Sequence, residues 1–210
     1  MKLRFTLCLI IALVLPASAL AQELTSTATS ANTVSSKTLI DLPGLTGNPM
    51  AIIVATPVGN TAQLNTHPVG AWYYSGKWNI FNSDHAVMPL GAKYKVRFFK
   101  EPGPNQFLHL VTKQNLGAEG SYIDNPALNN NPSAQVAIFQ NYAPDVRTPY
   151  YLNRFEAKAS YSSAAERWYI ANVNGEPLGR GTVYNIVVTP ATTVGANTNP
   201  GATAPGRTVK

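Results

Sequence analysis

Two segments of the chain superimpose without a gap: TLIDLPGLTGNPMA from Thr38 and SYIDNPALNNNPSA from Ser121. Ile, Asp, Pro, Leu, Asn, Pro and Ala recur in register. Upstream, Asn32 falls on Asn115. Downstream, Trp78-Asn79-Ile80-Phe81-Asn82 aligns with Trp168-Tyr169-Ile170-Ala171-Asn172, Pro89-Leu90-Gly91 with Pro177-Leu178-Gly179, and Tyr94-Lys95-Val96 with Tyr184-Asn185-Ile186. Self-similarity at a period of roughly 80–90 residues marks a tandem duplication, so the chain must fold as two related units. The first is expected over residues 22–100 and the second over 105–190, with Glu101-Pro102-Gly103-Pro104 as a stiff joint. Residues 191–210 lack hydrophobic periodicity and are expected to form a disordered tail.

The local pattern within each unit is β. Short runs rich in branched and aromatic residues, bounded by Gly, Pro and Asn, predict strands. They cover 51–55, 70–74, 77–81, 94–99, 107–112, 135–139, 168–171 and 183–189. This density predicts an all-β fold, two tandem β-sandwich-like units. Only Glu156–Arg167 is compatible with a helical turn or two. In GAWYYSGKWNIFN, Ser75-Gly76 suits a two-residue hairpin loop. That register sets Tyr73 opposite Trp78 and Ala71 opposite Ile80 on a core face, and leaves Trp72, Tyr74, Lys77, Asn79 and Phe81 on the other.

Residues 1–21 read as a signal peptide. Lys2 and Arg4 precede the apolar run Leu3–Leu15, and Ala19-Leu20-Ala21 supplies a small-residue cleavage pattern. The run is too short for a membrane span, which needs about 20 residues. The expected location is therefore secreted or periplasmic. The single cysteine, Cys8, lies inside this segment. A mature chain without thiols has no disulfide, thiolate nucleophile or Cys-ligated metal. The net charge of +6 includes Lys2 and Arg4. Its only concentrated expression is the alternation Lys93, Lys95, Arg97 against Tyr94, Val96, Phe98, a half-buried strand with a basic outer row. One such row is no nucleic-acid reading module, and no Gly-rich loop between strand and helix offers a nucleotide cofactor a seat.

Chemistry-bearing residues are sparse. Histidine occurs only at His67, His85 and His109, and no serine stands in a G-x-S-x-G elbow. No H-x-x-x-H or EF-hand spacing is present. Asp41, Asn48, Asp84, Asp124 and Asn131 supply oxygen for a calcium ion only if several converge. The repeated Asp41 and Asp124 are better read as Asx-turn acceptors for N–H groups two positions on. Pro43 and Pro126 fix the neighbouring dihedral. No catalytic, cofactor or metal set is therefore assigned.

Trp72 and Tyr74, with Lys77 and Asn79 beside them, pair flat aromatic faces with amide and ammonium donors. That chemistry suits a sugar ring. Tyr150 and Tyr151 add aromatic area in the second unit. Sheet packing is the plainer use of the hairpin face. The competing functional reading is an extracytoplasmic hydrolase using His67, His85 and Asp84, and a third is a purely structural module.

The run HPVGAWYYSGKWNIFNSDHAVMPLG, following the I-D-x-P and N-P-x-A elements, resembles a repeat domain of unknown function found in secreted or surface-exposed bacterial proteins. Phe107-Leu108-His109 and Thr112 match the repeat's opening in the second unit, where the first has Leu24 and Ser26, so His109 has no repeated counterpart. His67-Pro68, Trp72-Tyr73, Phe81-Asn82-Ser83-Asp84 and Met88-Pro89 match in the first unit and are largely lost from the second. The resemblance implies no activity. It leaves room for one site, around His67, Trp72 and Asp84, in the first unit. The expected function is an exported, non-enzymatic binding or adhesion module with a glycan or other cell-surface component as partner.

Overall fold

The computed structural model describes residues 21–60, 64–142 and 151–189, and among these it contains strands and no helix. Residues 1–20 of the expected signal peptide, the expected tail over 191–210, and Tyr150 lie outside the described residues. The first unit supplies β1 (Gln22–Thr27), β2 (Thr33–Val34), β3 (Lys37–Leu39), β4 (Ile52–Val58), β5 (Val69–Tyr74), β6 (Lys77–Asn82) and β7 (Lys93–Phe99). The second supplies β8 (Gln106–Leu110), β9 (Ser121–Tyr122), β10 (Gln135–Tyr142), β11 (Ala157–Ser162), β12 (Arg167–Asn172) and β13 (Val183–Thr189). Glu156–Arg167 is therefore no helix. Its apolar and small residues alternate along β11, and Ser162–Glu166 turns the chain into β12.

Each unit packs one antiparallel sheet against another. In the first, β1-β7-β4 covers β2-β3-β6-β5; in the second, β8-β13-β10 covers β9-β12-β11. The pairing schemes repeat residue for residue. Thr38 opposes Ile80 as Ser121 opposes Ile170, and Ile53 opposes Phe98 as Val136 opposes Val188. Tyr73, Trp78, Ile80, Tyr94, Val96 and Phe98 fill the first core, and Ile123, Leu128, Ile170, Tyr184 and Ile186 the second.

The units are not independent bodies. The last residues of β10 run parallel to β5, with Gln140 opposite Gly70 and Tyr142 opposite Trp72. This fuses two sheets into one of seven strands, β2-β3-β6-β5-β10-β13-β8. Phe139 of the second unit enters the first core. On the outer face of β4 and β7, Ile52 and Phe99 pack on Val187, and Asn185 Nδ2 donates to the Ile53 carbonyl at 2.7 Å. Asn185 and Val187 stand where the first unit has Lys95 and Arg97, so the basic outer row of β7 is replaced in β13 by residues that the joint buries.

The repeated polar residues are explained by loop anchoring. Asn48 O and Asn131 O each accept the indole N–H of the repeated tryptophan, from Trp78 and Trp168, both at 2.9 Å. Asn32 Oδ1 accepts from Thr29 N at 2.7 Å and Asn115 Oδ1 from Thr112 N at 2.8 Å. A buried asparagine hub also recurs. Asn65 Nδ2 donates to Asn82 Oδ1 (2.6 Å) and Tyr94 Oη (2.7 Å), while Asn153 Nδ2 donates to Asn172 Oδ1 (2.7 Å) and Tyr184 Oη (3.0 Å). The Asx-turn expected at Asp41 and Asp124 does not form. Two positions on stand Pro43 and Pro126, which have no N–H to give. Asn125 makes that turn instead, accepting from Ala127 N at 2.8 Å, and Asn48 does so from Met50 N at 3.1 Å. Asp124 accepts from Asn129 Nδ2.

Candidate functional site

The hairpin β5–β6 turns at Ser75-Gly76 with φ of 51° and 78°. Two successive positive-φ residues give the primed turn that matches strand twist. Tyr73 pairs with Trp78 and Ala71 with Ile80, all buried toward the first core. Trp72, Tyr74, Lys77, Asn79 and Phe81 consequently face away from it.

That outward face is completed by strands on both sides. Across the sheet run Leu39, Asn79, Trp72 and Tyr142 in one row and Lys37, Phe81, Gly70 and Gln140 in the next. Gly70 leaves the space that Phe81 occupies; a Cβ there would stand 2.9 Å from Phe81 Cε1 and 3.0 Å from the Gln140 carbonyl. The Trp72 ring, half-buried, has Tyr74 at 5.4 Å and Phe81 and Tyr142 each at 5.8 Å, in tilted or edge-on contact. Lys37 Nζ lies 4.4 Å from the Trp72 centroid and 4.3 Å from that of Tyr74, within cation–π range of both. The Trp72 indole N–H is buried and has no hydrogen-bond partner among the described residues.

Beside this cluster an open groove of about 390 Å³ lies between the β2–β3 and β5–β6 hairpins, lined by Asn32, Lys37, Leu39, Tyr74, Lys77 and Asn79. Tyr74 is 53% exposed. Asn79 is buried, and its amide donates to the Trp72 and Lys77 carbonyls, so it holds the hairpin rather than offering a free donor. Lys37 and Tyr142 were not among the sequence candidates. Lys37 stands one position before the repeated block, and Tyr142 arrives only through the parallel pairing of β10.

His67 and Asp84 stand at the opposite end of the hairpin, beyond the Val69–Asn82 pair. His67 Nδ1 and Asp84 Oδ2 are 2.7 Å apart. Burial pushes the Asp84 carboxyl up, but hydrogen bonds from Ala86 N and His67 and the nearby imidazole together hold it below its ordinary value. His85, exposed and at φ 67°, takes no part in that hydrogen bond. His67 also lines a cleft of about 360 Å³ between the units, together with Ala55, Pro57, Gln140, Phe155 and Glu156. The neighbouring hydroxyl, Ser83 Oγ, donates to the Pro68 carbonyl.

The third histidine is interior. His109 Nε2 is 2.7 Å from Ser121 Oγ, which itself donates to Asn115 Oδ1 at 3.0 Å, so the imidazole is the donor to the hydroxyl. Ser121 is fully buried, and burial lowers the His109 pKa to about 4. This pair braces β8 against β9 out of reach of any substrate. No group of three or more His, Cys, Asp or Glu side chains converges among the described residues. No helix among them is long and apolar enough to cross a membrane.

A family described as a domain of unknown function, DUF7452, matches residues 13–98 and again 77–188. The chain belongs to this family. Neither the curated proteins nor the solved structures contain a match. The groove belongs to the first DUF7452 unit alone. At the positions of Lys37, Trp72, Tyr74 and Phe81 the second unit has Gly120, Ser160, Ser162 and Ala171. His67 and Asp84 are likewise replaced, by Phe155 and Asn174.

Proposed function

We propose that this protein is an exported binding module that recognises a glycan, and that the groove beside Tyr74 is its site. The observation that carries the reading is the contrast between the two hairpins. The second unit builds the same hairpin and core with Ser160, Ser162 and Ala171 in place of Trp72, Tyr74 and Phe81, its outward aromatic on the hairpin being Tyr169 at the Asn79 position, so folding does not require the first unit's ring cluster. The first unit keeps an exposed phenol tilted against an indole, with Lys37 over both rings and Lys77 on the neighbouring strand. Flat aromatic area flanked by ammonium groups suits a sugar ring that carries a carboxylate or sulfate.

The test is a glycan array of neutral and acidic saccharides, followed by titration of the strongest hit. Trp72 packs on three rings, so the informative variant is Tyr74→Ala with Lys77→Ala, whose side chains are exposed. Binding should weaken at least about tenfold, the size of losing one well-placed contact worth about 1.4 kcal/mol, with thermal unfolding unchanged. Equal binding by wild type and variant, or no binding to any saccharide, overturns the reading.

The hydrolase reading has one observation in its favour, the short His67–Asp84 hydrogen bond. It carries less weight because the neighbouring hydroxyl, Ser83 Oγ, donates to the Pro68 carbonyl and is not paired with the imidazole as a serine nucleophile would be with its base.

A further inference from the structure

The groove beside Tyr74 offers a ligand cations but no carboxylate: neither Asp nor Glu lines it. Its two amides serve the fold. Asn79, buried, donates to the Trp72 and Lys77 carbonyls. Asn32 Nδ2 donates to the Thr27 carbonyl, and its Oδ1 accepts from Thr29 N. A neutral sugar is held through hydroxyls that donate as well as accept, whereas a lysine ammonium has donors only. Beyond the Tyr74 and Ser75 hydroxyls, what the groove has left to offer is positive charge, from Lys37 and Lys77.

The two ammonium groups are not equivalent. Lys77 is the cross-strand partner of Tyr74 and is exposed. It also borders a separate pocket of about 240 Å³ that Asp41 lines as well, so water and a neighbouring acid offset its charge. Lys37 starts two rows away, opposite Phe81, and reaches back to the Trp72 and Tyr74 rings, 4.4 and 4.3 Å from their centroids. It is half-buried, and no carboxylate pairs with it among the described residues. Ring faces take the place of part of its water without carrying a full negative charge. The second unit has Gly120 at this position, so the fold does not call for the lysine.

We infer that Lys37 sets the charge preference of the site. The acidic group of the sugar, a carboxylate or a sulfate, is seated against Lys37 where Trp72 meets Tyr74, and the body of the sugar lies over the exposed phenol toward Ser75 and Lys77. This rests on the saccharide reading of the groove and adds to it the residue that selects and the way round the ligand binds. A charge-assisted hydrogen bond is strongest where water competes least, which is at Lys37. An exposed ammonium gains little from a counter-charge. Lys77 therefore supports binding with little regard to the charge of the sugar.

The test pairs each acidic saccharide with its own neutral form. Oligogalacturonate is compared with its methyl ester, a sulfated galactan oligosaccharide with the desulfated one, and any other acidic hit of the array in the same way. The two kinds of pair tell which anion the site takes. In titration, wild type should favour the acidic form by at least about tenfold. Lys37→Met keeps the apolar stem without the charge and should bring the two forms within about twofold of each other. Lys77→Met should keep the preference, with both forms weakened by less than about fivefold. A preference that survives in Lys37→Met, or that Lys77→Met abolishes, overturns the inference. So does wild type that binds neutral forms as well as acidic ones, which leaves the saccharide reading standing. Wild type that binds no saccharide overturns both. Should Lys37→Met not melt cooperatively, Lys37→Gln takes its place under the same criteria.

Discussion

The hairpins β5–β6 and β11–β12 agree on the side that faces a core and part company on the side that does not. Inward, Tyr73 meets Trp78 at 5.1 Å and Tyr161 meets Trp168 at 5.9 Å, and both indoles reach back to an asparagine carbonyl. Outward, Trp72, Tyr74 and Phe81 are replaced by Ser160, Ser162 and Ala171. After a duplication, inward contacts are held by the need to pack each unit, whereas an outward residue is held only by what touches it. Among the outward differences, Asn185 and Val187 in place of Lys95 and Arg97 are accounted for by the joint, which buries them. The residues of the groove have no such account, and the search for function narrows toward them.

The largest effect should come from the asparagine hub, where the units ought to respond alike. Asn82 Nδ2 donates to the Ala86 and Val87 carbonyls and Asn172 Nδ2 to those of Glu176 and Pro177, while each Oδ1 accepts from its partner asparagine. Replacing either by alanine strands several buried groups at about 1–3 kcal/mol each. Asn82→Ala and Asn172→Ala should each lower unfolding stability by roughly 3 kcal/mol in urea denaturation. A difference between them of more than about 2 kcal/mol would show that the cores, and not only the outer faces, have diverged.

A second effect should be confined to one unit. His109 is buried where the first unit has Ser26, and its folded pKa of about 4 lies below the ordinary 6.5. The unfolded chain therefore takes up a proton first as pH falls. The stability this site contributes is fully present above pH 6.5 and is lost on the way down to about 4, by roughly 3 kcal/mol. Urea midpoints of wild type should fall across that window, and His109→Ser should flatten the fall while His67 and His85 are unchanged. An equal fall in the variant would place the pH dependence elsewhere.

How much of this was legible in the sequence depended on the range of the interaction. The hairpin register, with Tyr73 on Trp78, follows from Ser-Gly and a period of two, both local. The sandwich core follows from the repeat. The parallel joint does not, because three residues of β10 choose β5 as partner and no short-range signal announces it. With it went Tyr142, and with Tyr142 the enclosure of Trp72. The sequence grouped His67, Asp84 and Trp72 as one site because all three are missing from the second unit. Along the hairpin they stand apart: His67 and Asp84 lie beyond the Val69–Asn82 pair, whereas Trp72 is three positions further up β5, at about 3.3 Å per position. Glu156–Arg167 misled because small residues such as Ala157, Ala159 and Ala164 suit a helix as well as an edge strand.

The smallest effect separates the two parts of Asp84's role. Its Oδ1 accepts from Ala86 N at 3.0 Å, and Asn174 in the second unit accepts from Glu176 N at 3.1 Å in the same way. Only the bond to His67 requires the carboxylate, and both side chains are partly exposed, where an ion pair contributes about 0–1 kcal/mol. Asp84→Asn should therefore change stability by less than about 1 kcal/mol, whereas Asp84→Ala, which also frees the Ala86 N–H, should cost about 1 kcal/mol more. Neither should alter saccharide binding, because the Tyr74 groove lies at the far end of the hairpin. If Asp84→Asn is as costly as Asp84→Ala, the ion pair and not the turn holds this loop. If Asp84→Asn also weakens saccharide binding, the first unit carries one extended site along the whole hairpin, and its contrast with the second unit has to be redrawn around His67.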